Sequence, residues 1–294
     1  MKSNREGLLY FAFNNQKINY VKLAFISALT AKHHLNRPVC LITTQHDYEV
    51  FLSDLDGHAD LIEKTFDHVR FINIDKMECN NKIYNNGKSE SFNLTYKNRM
   101  QTHCYDYSPF ESTIVLDSDY LVMSDQLNSV WDSAYDFAAN YKCMEIGLDD
   151  TYVQQTYGNN MQTLWSTVMF FRKTPWCDVF FGLVAFIREH WRYYYNLYGI
   201  RSSFYRNDYV MGIAHHIING YRSASTVAPI SNMGISILLD RSHIVDMPEK
   251  DRLILLIDDT EKNPTLMSWS SMDIHIQNKW AMSNLYEKVI QFYE

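Results

Sequence analysis

The 294-residue chain carries a formal net charge of -7, with 46% hydrophobic, 21% charged and 15% aromatic residues. These proportions belong to a globular protein able to bury a core, and they exclude a collagen-like, low-complexity or disordered polypeptide. The acidic balance gives no overall attraction to phosphate-rich surfaces, although a local basic patch can still meet a charged ligand. The five cysteines, Cys40, Cys79, Cys104, Cys143 and Cys177, are scattered, odd in number and without C-x-x-C spacing. They indicate neither a disulfide framework nor a zinc site, and they fit a reduced, cytoplasmic setting. The start, MKSNREGLLYFAF, passes from a polar lead into a short apolar run with no extended hydrophobic region and no small-residue cleavage site, so no secretory signal is expected. No stretch reaches the roughly 18 apolar residues of a membrane span, and the Asn93-Leu94-Thr95 sequon is expected to stay unmodified.

In chain order, residues 8 to 13 (LLYFAF) predict a strand. Asn19 then stands before a helical stripe of Val21, Ala24, Phe25, Ala28 and Leu35. VCLITT after Arg37-Pro38 predicts a second strand, residues 54 to 66 a helix, and VRFINI at 69 to 74 a third strand. This alternation predicts β-α-β units on a parallel sheet. The Asn-rich segment from Asn80 to Asn98 reads as a surface excursion, followed by a helix to Tyr107. Ser108-Pro109 ends that helix, and Thr113 to Leu116 forms a buried fourth strand.

Beyond it come a short helix and strand over 127 to 139, a core strand STVMFF at 166 to 171, and a long helix from Pro175 to about Tyr198. A helix YVMGIAHHIIN follows, capped by Asn207 or Asp208 and ended by Gly220. RLILLID at 252 to 258 is strand-like, and a last helix is expected near 283 to 292. No internal repeat or linker divides the chain, which predicts one composite domain.

The fourth strand ends in Asp117-Ser118-Asp119. Two carboxylates so close repel each other, and leaving them uncompensated at the mouth of a buried strand raises a pKa and costs stability. A divalent cation resolves that conflict: oxygen ligands of this kind suit Mg²⁺ or Mn²⁺, and a metal with open positions can grip a diphosphate. The carboxyl ends of strands are also where open α/β sheets bind ligands. For an isolated D-x-D a solvated turn is the commoner explanation. Here the strand is apolar before the pair, and Tyr120-Leu121-Val122 resumes apolar character after it.

The run SPFESTIVLDSDYLVMSDQLNSVW resembles the metal-binding core of GT-A fold nucleotide-sugar glycosyltransferases, particularly the glycogenin and bacterial galactosyltransferase (family 8-like) group. FAFNN with INYVKLAFISAL is similar to the first strand, nucleotide-contacting loop and helix of that fold, and RNDYVMGIA to its helix presenting an acceptor-side acid. The resemblance implies a mixed, mainly parallel α/β sheet flanked by helices. It also implies a nucleotide-binding half over 1–125 and an acceptor-side half over 126–294 holding a late metal- and phosphate-binding segment.

By the same resemblance Asp117, Asp119 and His275 would hold Mn²⁺ (or Mg²⁺) and Lys279 would contact the diphosphate. Phe11, Asn14, Tyr20, Arg99, Asp117 and Ser118 would contribute to the nucleotide-sugar site, and Asp208 would orient the sugar or acceptor. The implied reaction is transfer from a nucleotide diphosphate sugar, a UDP-sugar, to a hydroxyl acceptor with retention. Glycans, proteins and hydroxymethylated DNA bases all stay open as acceptors. The sequence departs from the family pattern at Leu164-Trp165-Ser166-Thr167 and in the shortened Asn278-Lys279-Trp280 string, which leaves the sugar unassigned.

Several features keep a second reading. Arg99 and Asp208 can equally be a solvated helix arginine and a helix cap. The segment HWRYYYNLYGIRSSFYRNDY interleaves Arg192, Arg201 and Arg206 with Trp191, Phe204 and tyrosines, as an acceptor platform or as core packing. The adjacent pairs His33-His34 and His215-His216 point to different helix faces and are not expected to bind metal. The alternative functions are a haloacid-dehalogenase-like phosphatase, with Asp258-Asp259 as its late acidic pair, a sugar nucleotidyltransferase, and a non-catalytic sugar-nucleotide binder. The phosphatase places its D-x-D on the first strand, and the nucleotidyltransferase needs a Gly- and Lys-rich N-terminal loop absent here.

Overall fold

The structure is a computed structural model describing residues 5–54, 58–74, 79–87, 90–147, 151–153, 161–200, 205–222, 230, 234–257 and 264–294. Strand β1 (Glu6–Phe11) leads to helix α1 (Tyr20–Leu35), whose first turn is capped by Asn19 accepting from the Lys22 N–H. Lys32 lies in its last turn, where its positive charge meets the negative helix end. After β2 (Val39–Thr43), Thr44 caps α2 (Gln45–Ser53) by accepting from the Asp47 N–H, and α3 (Ala59–Thr65) precedes β3 (His68–Phe71). Helix α3 falls within the helix expected over 54 to 66, and α2, immediately before it, was not expected. Thr44 with Asp47 three residues later is the capping signal that the apolar pattern alone overlooks.

The expected surface excursion is an antiparallel hairpin of β4 (Asn80–Asn85) and β5 (Ser91–Tyr96). It buries only Tyr84 and Leu94 fully, so its polar sequence shows no apolar alternation. A 3-10 turn over 98–103 and α4 (Cys104–Tyr107) lead to β6 (Ser112–Leu116) and then, past the two aspartates, to β7 (Tyr120–Leu121). Next come β8 (Phe137–Asn140), β9 (Lys142–Glu145), β10 (Thr151–Val153) and β11 (Trp165–Arg172). The long helix breaks at His190 into α5 (Pro175–Glu189) and α6 (Trp191–Leu197), and α7 (Asn207–Ile218) follows. The last part contains β12 (Ile235–Leu238), β13 (His243–Glu249), β14 (Arg252–Ile257), β15 (Thr265–Ser270), β16 (Ile274–Ile276), α8 (Lys279–Ser283) and α9 (Tyr286–Tyr293).

The main sheet has the order β3-β2-β1-β6-β11-β8. The first four strands are mutually parallel and β11 runs against its neighbours β6 and β8, giving the mixed, mainly parallel α/β sheet that the resemblance implies. Alternate residues face opposite layers. Leu8, Tyr10, Ile114 and Leu116 enter the core beneath α1 and α9, whereas Leu9, Phe11 and Val115 enter the core beneath α5 and α7. A second sheet, β10-β9-β12-β16-β7, adjoins it, and β13-β14-β15 forms a third. The chain passes from the main sheet to the second one directly between β6 and β7 and between β8 and β9, and through α5, α6 and α7 between β11 and β12. Among the described residues no helix is long and apolar enough to cross a membrane.

Helix α7 approaches the segment before β11 at backbone contact: a Cβ on Gly212 would stand 2.7 Å from the Gln162 carbonyl oxygen. Helix propensity alone makes Gly→Ala favourable by about 1 kcal/mol. The clash reverses the sign, and Gly212→Ala is expected to lower stability by about 1–3 kcal/mol, read as a fall in the urea midpoint. A raised midpoint would contradict this close approach.

Candidate active site

Asp117 and Asp119 occupy the β6–β7 crossing and are tied to a different sheet each. The Asp117 N–H donates to the Thr167 carbonyl of β11 at 2.9 Å, and the Ile276 N–H of β16 donates to the Asp119 carbonyl at 2.9 Å. Because β16 pairs with β7 in the register His275↔Tyr120, the imidazole arrives beside the aspartates. His275 Nε2 lies 3.2 Å from Asp119 Oδ2. The chain then turns into α8, where Asn278 accepts from the Ala281 N–H. That cap fixes Lys279 at the helix start, and its ammonium donates to Asp119 Oδ2. One ligand atom from each of Asp117, Asp119 and His275 lies within 4.8 Å of the others.

The electrostatics favour a cation here. Burial pushes the Asp117 carboxyl up, with Asp208 adding to the rise against the opposing pull of His275 and Lys279. Burial also pulls the His275 imidazole down to about 4, which keeps the ring neutral and able to donate a lone pair. Its Nδ1 is buried and has no hydrogen-bond partner among the described residues. Burial, with Lys82 nearby, likewise lowers Lys279. Two carboxylates and one neutral imidazole form an oxygen-rich donor set suited to Mn²⁺ or Mg²⁺. The residues present fit such an ion.

These groups form one wall of a cavity of about 710 Å³. Of the residues expected to bind the nucleotide sugar, Phe11, Tyr20, Asp117, Ser118 and Lys279 line it, as does Asp208. Asn14 and Arg99 do not. The Asn14 side chain accepts from the Val21 N–H and donates to the Asp47 carbonyl, which spends it on joining β1 to α1 and α2. Arg99 stacks 4.3 Å from the Tyr205 ring centre.

Sequence reading missed the opposite wall, where the β4–β5 hairpin brings Lys82, Tyr84 and Tyr96 over the cavity. Tyr20 donates to the Tyr84 hydroxyl at 3.0 Å, and Asn85 Nδ2 donates to Asp240 Oδ2 at 2.7 Å. The ring of Phe92 packs against Trp280. The hairpin is thus anchored on both sides of the cavity. The one available signal was the clustering of aromatics and lysines in an otherwise Asn-rich segment.

Asp208 does not cap α7; Arg206 occupies the cap position without a side-chain cap bond. The Asp208 carboxylate instead accepts from Ser166 N–H at 2.9 Å and Ser166 Oγ at 3.0 Å on Oδ1. Its other oxygen takes Arg206 Nε at 2.9 Å and Nη2 at 2.7 Å. A carboxylate held by four such contacts is a fixed counter-charge rather than a free nucleophile. Arg206 and Trp165 enter the cavity with it.

Of the aromatic segment, Arg206 and Tyr209 line the cavity. Trp191, Tyr198 and Tyr205 are buried in the α5–α7 core, and Arg201 and Phe204 lie outside the described residues, as do Asp258 and Asp259. The main-sheet strand β1 ends at Phe11 and is followed by Ala12-Phe13, so the first-strand D-x-D of the phosphatase reading is absent. All five cysteines are free thiols.

Among the described residues the histidine pairs make other contacts. His34 meets Asp251 at 2.8 Å, His216 Nδ1 meets the Tyr198 hydroxyl at 3.0 Å, and His215 Nε2 meets Asn219 at 2.7 Å.

No family model matches the sequence, and no curated protein does. Solved structures of similar course include the glycosyltransferase GlyE of Streptococcus pneumoniae TIGR4, at 11% identity over 77% of this chain and 46% of GlyE, with a TM-score of 0.43. The chain therefore spans less than half of that solved protein. Mouse xyloside xylosyltransferase 1 is 12% identical over 74% of this chain and 83% of its own, with a TM-score of 0.43. The 4-diphosphocytidyl-2C-methyl-D-erythritolsynthase of Anaerococcus prevotii DSM 20548 is 13% identical over 80% and 94%, with a TM-score of 0.40. Similarity of this degree identifies neither substrate nor reaction.

Burial, with His216 adding to it, pulls the His215 imidazole from 6.5 down to about 4. The folded protein therefore resists a proton that the unfolded chain accepts, and stability present above about pH 6.5 is lost as the pH falls toward 4. His215→Gln is expected to flatten that fall in plots of denaturant midpoint against pH. Parallel plots for the two proteins would contradict it.

Proposed function

We propose that the chain is a divalent-metal-dependent glycosyltransferase that moves a hexose or pentose from a nucleotide diphosphate sugar, with UDP as the nucleotide, to a hydroxyl acceptor. The observation that carries this reading is the convergence of Asp117, Asp119 and His275 within 4.8 Å, with Lys279 on Asp119, in the wall of a cavity of about 710 Å³. That volume falls within the roughly 300–1,000 Å³ of small-molecule sites.

Asp117, Asp119 and His275 would hold Mn²⁺ (or Mg²⁺), which when bound supplies Lewis-acid stabilisation of charge on the departing diphosphate. Lys279 adds a compact positive charge for a phosphate oxygen. Phe11, Tyr20, Tyr84 and Tyr96 offer aromatic faces to base and sugar, and Ser118 sits between the two carboxylates. Asp208 steadies Arg206 and the start of β11 at the acceptor side. In the transfer the bond from the anomeric carbon to the diphosphate oxygen breaks and one to the acceptor oxygen forms, the hydroxyl proton leaving with diphosphate or to water. Retention at the anomeric carbon is checked by analysing the product anomer. The free cysteines accord with a reduced, cytoplasmic setting.

Purified protein with Mn²⁺ and a panel of UDP-sugars is expected to release UDP from one of them, and chelation by EDTA should abolish the release. Asp119→Ala should lower it by on the order of 100-fold or more, while Lys279→Met raises the donor KM. Turnover of a phosphate ester with no release of nucleoside diphosphate from any donor would overturn the proposal.

A further inference from the structure

The metal ligand Asp117 is held by a neutral side chain remote in the fold. Gln101, in the 3-10 turn over 98–103, is 1% exposed. Its Nε2 donates to Asp117 Oδ1 at 2.9 Å and to the Ser166 carbonyl at 3.1 Å, and its Oε1 accepts from Asn207 Nδ2 at 2.9 Å. The carbonyl of Ser166 can only accept, so the amide nitrogen must face it, and this settles which end of Gln101 meets Asp117. Asn207 is itself 2% exposed and opens α7, one residue before Asp208, which takes the Ser166 N–H.

We infer that Gln101 is a positioning residue for the metal site: it fixes the rotation of the Asp117 carboxylate, and Asn207 in turn fixes Gln101. The inference rests on the metal-dependent reading above. Its physical content is that a carboxamide orients without neutralising. A lysine or arginine at this point would form an ion pair with Asp117 and compete with the cation for its charge, whereas a neutral N–H donor leaves the full negative charge facing the other ligands. Partners that orient metal ligands typically alter affinity by about 10–100-fold. The same relay joins the start of α7, where Arg206 and Asp208 face the cavity, to the ligand at the end of β6.

The test is Mn²⁺ binding without donor, followed by electron paramagnetic resonance of the free ion, on the intact chain. Gln101→Met, which keeps length and loses both bonds to acceptors, is expected to weaken Mn²⁺ about 10–100-fold. Turnover should recover at saturating Mn²⁺ with the donor KM unchanged. Asn207→Ser should shift Mn²⁺ affinity in the same direction by a smaller factor, and the double variant should bind no more weakly than Gln101→Met. Asn207→Ser keeps the inference testable where Gln101→Met does not fold.

Wild-type affinity in either folded variant, or a loss of turnover that no Mn²⁺ concentration restores, overturns the role of Gln101 alone. Absence of Mn²⁺ binding by the wild type, or equal binding by Asp119→Ala, overturns the metal reading and this inference with it.

Discussion

Two backbone hydrogen bonds hold the site together, one from Asp117 N–H to Thr167 in the main sheet and one from Ile276 N–H to Asp119 in the second. They pin the backbone of both aspartates at the seam between the two sheets. Like charges 4 Å apart repel by about 4 kcal/mol at an effective dielectric near 20, so the backbone must enforce what the side chains oppose. The surrounding groups answer that repulsion with one positive charge and two neutral polar contacts. A buried neutral imidazole, an ammonium at a helix start and a carboxamide converge on the pair from three elements far apart in sequence.

The opposite wall has a different character. The hairpin contributes aromatic faces and a lysine, anchored at Tyr20 on one side and at Asp240 on the other. One wall is thus charged and the other is largely aromatic. Arg206, clamped by Asp208, stands between these two walls near Trp165. The cavity is divided by chemistry, with the charged groups gathered at the seam and the tyrosines and Lys82 contributed by the hairpin.

Much of this was legible in the residues. The central strands could be read because each buries a continuous apolar run, and Asp117-Ser118-Asp119 stood out because two charges interrupt one. His275 and Lys279 could be tied to that pair only through resemblance, since no periodicity links residues 156 and 160 positions apart from Asp119. The hairpin, β12, β13, β15 and β16 were illegible. They are short or polar, and β16 has three residues whose strand character comes entirely from its neighbours β12 and β7. Gln101 gave no signal at all, because a glutamine inside a polar stretch looks the same whether it faces solvent or a buried aspartate. Asn14 is the converse case: its position in the loop after β1 suits a ligand, and its side chain makes local bonds to Val21 and Asp47.

The late arrival of β16 bears on how the protein is made. Strands β1, β2, β3 and β6 contain the parallel half of the main sheet and are synthesised in the first 116 residues, so they can condense while the rest of the chain is still on the ribosome. Asp117 and Asp119 must then wait at an unpaired edge until Ile274–Ile276 emerges to zip onto β7. Until then the nascent chain carries two aspartates with no imidazole and no ammonium beside them. The cluster of carboxylates, imidazole and ammonium therefore forms only after β16 and α8 have joined the seam.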